Sequence, residues 1–214
     1  FRLQLRIPTW TQDRFVPGEL YRYADAASSS VTLSVNGKRI EARIENGFAS
    51  IEREWKSGDH VVLNLPMPVR ITECHPAVEA NTNRIAFTRG PFVLCAEGVD
   101  NGGATQRFFF GKKPVTGDAI TSTRKVEHGS FLQASIKAQA ITKSGKTENS
   151  KLVLTPYYAW NNRGVSSMTV WFPTRADMAV FDPHILPKES VFAKITASHT
   201  AAEDTLTAIG DNKV

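Results

Sequence analysis

This sequence predicts an all-β chain of two consecutive antiparallel sandwiches, jelly-roll-like, on three observations. Short segments alternate apolar and polar residues, which is the period of a half-buried strand. Turn signals separate these segments at short, regular intervals, the spacing typical of sandwiches and barrels. No segment ahead of Ile185 sustains the i, i+3, i+4, i+7 apolar stripe of an amphipathic helix.

The elements follow in order. From Phe1 to Pro8 the odd positions are apolar and the even positions polar, a strand with one buried face. Val31-Thr32-Leu33-Ser34-Val35 alternates too and runs into Asn36-Gly37, then Lys38-Arg39-Ile40. Asn-Gly predicts a two-residue type I′ hairpin turn, because both turn residues must accept positive φ. Asn46-Gly47 repeats the signal before Phe48-Ala49-Ser50-Ile51. After Lys56-Ser57-Gly58-Asp59 comes the strand Val61–Leu65, closed by Pro66 and Pro68. Arg84–Phe87 and Phe92–Cys95 complete a first sandwich, placed at 1–100.

Asp100-Asn101-Gly102-Gly103-Ala104 is a glycine-rich break and the expected boundary. The second sandwich, 101–175, takes Phe108–Phe110, Ala119–Thr121, Phe131–Ile136 and Lys151–Thr155. This second set is short, and whether it shares strands with the first stays open, as does the sheet that takes Met168–Phe172. From 176 to 214 the chain reads as a linker, punctuated by Asp182-Pro183 and Leu186-Pro187, and the start of a truncated appended module. Thr200 and Glu203 form a capping box and Gly210 a stop, predicting one short helix at Ala201–Ile209.

The totals exclude several classes. A chain of 214 residues buries one large core or two small ones. Its apolar runs fall far short of the ~20 residues that span a bilayer, so no membrane partner is expected. Phe1 opens directly on a strand pattern, so the chain reads as cut from something longer. The net charge is +5, but the 26 basic residues are scattered among 21 acidic ones. Nucleic-acid binders cluster their charge, so no nucleic acid is expected. Two cysteines are too few for a disulfide scaffold; Cys95 reads as a buried small hydrophobe, and a Cys74–Cys95 bridge stays open.

Several segments together resemble one family. They are the opening Leu3-Gln4-Leu5-Arg6-Ile7-Pro8-Thr9-Trp10, Val35-Asn36-Gly37, and Arg53-Glu54-Trp55-Lys56-Ser57-Gly58-Asp59. Leu65-Pro66-Met67 and Arg89-Gly90-Pro91 follow, then the block Lys151–Gly164 with its Pro156-Tyr157-Tyr158-Ala159-Trp160 core. In this order they resemble the C-terminal β-sandwich region of the family 127 glycoside hydrolases, the β-L-arabinofuranosidase-like family. The resemblance implies a bacterial parent, periplasmic or secreted, acting on plant-polysaccharide sugars. It also implies a helical catalytic barrel, N-terminal to this region, that carries the cysteine nucleophile and the cysteine- and glutamate-held zinc. The tail loosely resembles the opening of appended sugar-binding modules.

Within the chain itself no catalytic residue, metal site or cofactor is expected. Cys74-His75 lacks a companion at zinc-ligand spacing, and His60, His128, His184 and His199 lie far apart. Glu52 with Glu54, and Glu97 with Asp100, are the carboxylate pairs to test against the two-carboxylate chemistry of glycosidases. The remaining site is Tyr157, Tyr158, Trp160, Asn161, Asn162 and Arg163, with Trp171 nearby. Aromatic faces stack on sugar rings and amides satisfy hydroxyls, so carbohydrate contact fits these residues. Contact with a neighbouring domain, or plain packing, fits them too. The expected role is a non-catalytic support for the barrel of the same polypeptide, with dimerisation as a further one. The alternatives are an independent carbohydrate-binding module and an adhesion sandwich; no dense Asp/Asn run supplies the calcium loops the latter favours.

Overall fold

The structure, a computed structural model, describes residues 1–12, 16, 18–25, 30–111, 119–126, 129–164 and 166–182. Residues 1–183 form one compact unit; the second, 184–214, lies outside the described residues, as do the expected helix at 201–209 and His128, His184 and His199. The described secondary structure is all strand, apart from short 3-10 turns.

The N-terminal part builds a small sandwich. Strands β1 (Arg2–Arg6), β5 (Ile44–Glu45) and β6 (Phe48–Glu52) form one three-stranded antiparallel sheet in the order β1-β6-β5. Strands β3 (Thr32–Val35), β4 (Lys38–Ile40) and β7 (Val61–Asn64) form another, in the order β4-β3-β7. Alternation delivers one face of each to a shared core of Ile7, Leu33, Val35, Ala49 and Ile51. Asn36 and Gly37 have φ of 51° and 77° between Val35 and its partner Lys38, as a type I′ turn requires. Asn46 and Gly47 repeat this at 51° and 79°.

Among the described residues the larger sheet has ten strands, along the path β11-β13-β14-β10-β9-β8-β2. In chain order they are β2 (Tyr21–Tyr23), β8 (Val69–Cys74), β9 (Arg84–Arg89), β10 (Phe92–Glu97), β11 (Phe108–Phe109), β12 (Ile120–Val126), β13 (Gly129–Ile141), β14 (Thr147–Pro156), β15 (Met168–Thr169) and β16 (Phe172–Pro173). Side chains from both ends of this path meet in one core, where Phe87, Phe110 and Phe172 pack as an aromatic trio beside Ile71, Ile136, Leu152 and Leu154.

The expected division at residue 100 is corrected here. Strands β8, β9 and β10 lie in the same sheet as β13 and β14, with Leu94 paired to Pro156 and Cys95 to Thr155. The two cores separate between Leu63 and Val69, at the Leu65-Pro66-Met67-Pro68 connection. The glycine-rich turn misled because its sequence reads as a linker, whereas Asn101 is buried and stitched to its surroundings. Its amide donates to the carbonyls of Glu97 (2.8 Å) and Val153 (2.9 Å) and accepts from the Val153 N–H (2.9 Å). The Met168–Phe172 segment splits, β15 pairing with β10 and β16 with β9.

Candidate functional site

At the end of β14 the chain enters a 3-10 turn, Tyr157–Ala159, and then an irregular loop through Gly164. Pro156 fixes φ at −57° and lacks an N–H, so the ladder with β10 stops there. The Trp160 N–H closes the turn on the Tyr157 carbonyl at 3.1 Å. Residues three apart eclipse in 3-10 geometry, which brings the Tyr157 and Trp160 rings together at 5.9 Å between centroids and 34° between planes. Tyr157, Tyr158 and Trp160 are 47%, 61% and 38% exposed, while Ala159 between them is buried. Tyr158 meets the exposed Phe92 edge-on at 5.2 Å. Trp171 is not part of this group; it packs on Tyr21.

Beneath the loop lies a charged cluster. Arg163 turns inward, only 10% exposed, and its guanidinium joins the Glu97 carboxylate at the end of β10 and Asp100 just beyond it, the latter at 2.6 Å. Glu97 is fully buried and also accepts the Asn161 N–H at 3.0 Å. Asp100 accepts from Gln133 at 3.0 Å. Burial acts to lower the Arg163 pKa, but the hydrogen bonds it donates to Asp100 and Glu97 outweigh this and hold the group above its ordinary value. Asn161 itself takes the left-handed conformation, φ 65°, which Asn tolerates better than most residues. The loop is therefore held at two nearby points, the Asn161 N–H and the Arg163 side chain, by the same carboxylate.

The sequence reading grouped Arg163 with the exposed aromatics; the structure separates them. Tyr157, Tyr158, Trp160, Asn161 and Asn162 face outward, whereas Arg163 is the brace underneath. Its partners are the two carboxylates already singled out, but nothing in sequence spacing links residues 97 and 163. The other carboxylate pair does not converge: Glu52 pairs with Arg2 on the surface, at 2.8 Å, and Glu54 is exposed.

The cysteines are free. Cys95 is buried in β10, and desolvation, then the Glu97 charge, push its thiol up to about 12, which leaves it neutral and unreactive near pH 7. Cys74 ends β8 with its sulfur near the carbonyls of Val78 and Asn81. Among the described residues no group of three His, Cys, Asp or Glu side chains is placed to hold a metal ion. Among them, too, no helix is long and apolar enough to cross a membrane.

Comparison with known proteins fits this architecture. Residues 1–67 match the "Beta-L-arabinofuranosidase, GH127 middle domain" family, and residues 69–173 match the "Glycoside hydrolase family 127 C-terminal domain". The join between the matches falls where the two cores separate. The chain is 27% identical over 184 residues to the non-reducing end β-L-arabinofuranosidase of Bifidobacterium longum subsp. longum, covering 79% of this chain and 25% of that protein. It superposes on the GH127 β-arabinofuranosidase BT3674 with a TM-score of 0.76 and 36% identity, over 84% of this chain and 28% of that one. A GH127 β-L-arabinofuranosidase from Geobacillus stearothermophilus T6 gives 0.66 and 29%, over 81% and 26%. The chain thus spans about a quarter of the length of each relative. With one small sandwich and one large sheet matched in the family's own order, the chain belongs to glycoside hydrolase family 127, as its middle and C-terminal domains.

Proposed function

We propose that this region is the non-catalytic β-sandwich portion of a family 127 glycoside hydrolase and supports the catalytic barrel of the same polypeptide. The observation that carries this reading is the engagement of Glu97 and Asp100. Most glycosidases use one carboxyl group to give a proton and a second facing the sugar. Here both carboxylates share one guanidinium, and Glu97 has no exposed surface on which to meet a substrate. The pair braces a loop. The names of the relatives lead us to terminal β-L-arabinofuranosides as the parent's substrates.

The test is an assay of residues 1–214 with an aryl β-L-arabinofuranoside. No hydrolysis above buffer is expected. Turnover that disappears in Glu97→Gln or Cys74→Ser would overturn the supporting role.

A further inference from the structure

The exposed face of the 157–164 loop has no part in the brace beneath it. A loop kept only for packing within its own sheet would turn its large rings inward, since burying an aromatic side chain is favourable. Here Tyr157, Tyr158 and Trp160 stay at the surface while the fold buries a charged cluster below them. A buried ion pair is commonly no more stabilising than apolar residues of similar size, but it does fix geometry. Arg163 and the Asn161 N–H, both held by Glu97, fix the loop that displays the rings.

We propose that Tyr157 and Trp160 form a surface platform for a neutral, soluble saccharide, with the Asn161 and Asn162 amides as hydrogen-bonding partners at its edge; this rests on the glycoside-hydrolase reading above. Three features define the ligand. The rings are neighbours on one turn, 5.9 Å apart, and offer a continuous apolar surface to the C–H face of a sugar. Both Asn side chains are exposed and hydrogen-bond to no other described residue, so they are open to sugar hydroxyls. The charge also points to a neutral ligand. Arg163, the one ionic side chain of 157–164, is turned inward between two carboxylates, so the loop itself presents no cation outward to recruit an acidic polymer. The 34° tilt between the rings suits a flexible oligosaccharide rather than a flat crystalline surface.

Titration of the 214-residue chain with a short β-L-arabinofuranosyl oligosaccharide tests this, read by tryptophan fluorescence and saturation-transfer NMR. Saturable binding is expected, weakened about tenfold or more in Trp160→Ala and in Tyr157→Ala and unchanged in Trp55→Phe, since Trp55 stacks on Phe1 in the other sandwich. The two loop variants change exposed side chains, and if one fails to fold the other decides. Absence of saturable binding overturns the platform, as does binding equally weakened by Trp55→Phe. So does loss of a concentration-dependent dimer in Trp160→Ala without any sugar signal, which would make the rings an interface between copies. Tighter binding of a polygalacturonate that survives Trp160→Ala also overturns it. Hydrolysis of an aryl glycoside is a separate readout and bears on the supporting role alone.

Discussion

At the scale of single residues, Arg163 decides the most. Its guanidinium compensates two carboxylates inside the large sheet, one of them fully buried. Removing one partner of such a cluster is more damaging than never having built it, because the remaining charges stay desolvated. Arg163→Met is therefore expected to destabilise the chain by about 3–5 kcal/mol in urea titrations. Adding Glu97→Gln to that variant should restore part of the loss, since it removes the buried charge left without a partner. If the double variant is less stable than Arg163→Met alone, the brace is not what holds the loop. The same scale explains the family's short motifs. Asn36 of Val-Asn-Gly donates its amide to Asp59 of the Gly-Asp turn at 2.8 Å and accepts the His60 N–H at 2.8 Å. The Asn36 bond, then the Lys56 N–H, hold the Asp59 carboxyl below its usual range. Likewise Met67 of Leu-Pro-Met lies against Gly90 of Arg-Gly-Pro, where an added Cβ would come within 2.6 Å of the Met67 sulfur.

At the scale of elements, the hairpin turns carry the small sandwich. The β3–β4 connection is two residues long, and both have positive φ. A Cβ at Gly37 would meet open space, so backbone conformation alone sets the cost of a substitution. Gly37→Val should destabilise by about 1 kcal/mol or more, because a β-branched residue resists the left-handed region. Urea midpoints check this, and an unchanged midpoint would show that the turn does not limit stability. The β13–β14 hairpin works differently. Its strands pair over a long register, Ala134 with Leu154 through Ile141 with Thr147, and the polar 142–146 loop only closes it. Edge strand β12 runs mostly exposed along β13, its Arg124 and Lys125 placing charge where unpaired backbone would otherwise invite association.

At the scale of the whole molecule, two cores of unequal size share one compact unit. The larger carries the aromatic trio and fully buried strands, whereas β5 is exposed throughout and β4 nearly so. Strand β2 ties them together. It comes from the N-terminal part of the chain but pairs with β8, where buried Arg70 lies over the Tyr23 ring at 3.6 Å and bonds Asp25 at 3.2 Å. Local opening follows the density of buried apolar contacts. Amide hydrogen exchange should therefore persist longest in β9, β10, β13 and β14 and fade first in β4 and β5. Uniform protection across both sheet systems would contradict the two-core picture.

The sequence by itself determined most of the strands, the two Asn-Gly turns and the family resemblance. Period-two alternation marked β1 and β3, and Asn-Gly marked two hairpins, because both signals depend only on near neighbours in the chain. The family motifs were legible for the same reason, each a short local pattern. Short strands β2, β5 and β8 escaped notice, since two or three residues show no period and β8 is buried along most of its length. Tertiary structure alone decided the sheet membership of β8, β9 and β10 and hence the division between the cores. It alone also turned Arg163 inward onto Glu97 and Asp100 while leaving Tyr157 and Trp160 outside. Strand pairing and buried charge compensation join residues distant in sequence. The free energy that selects them, desolvation against pairing, exists only once the chain has closed around them.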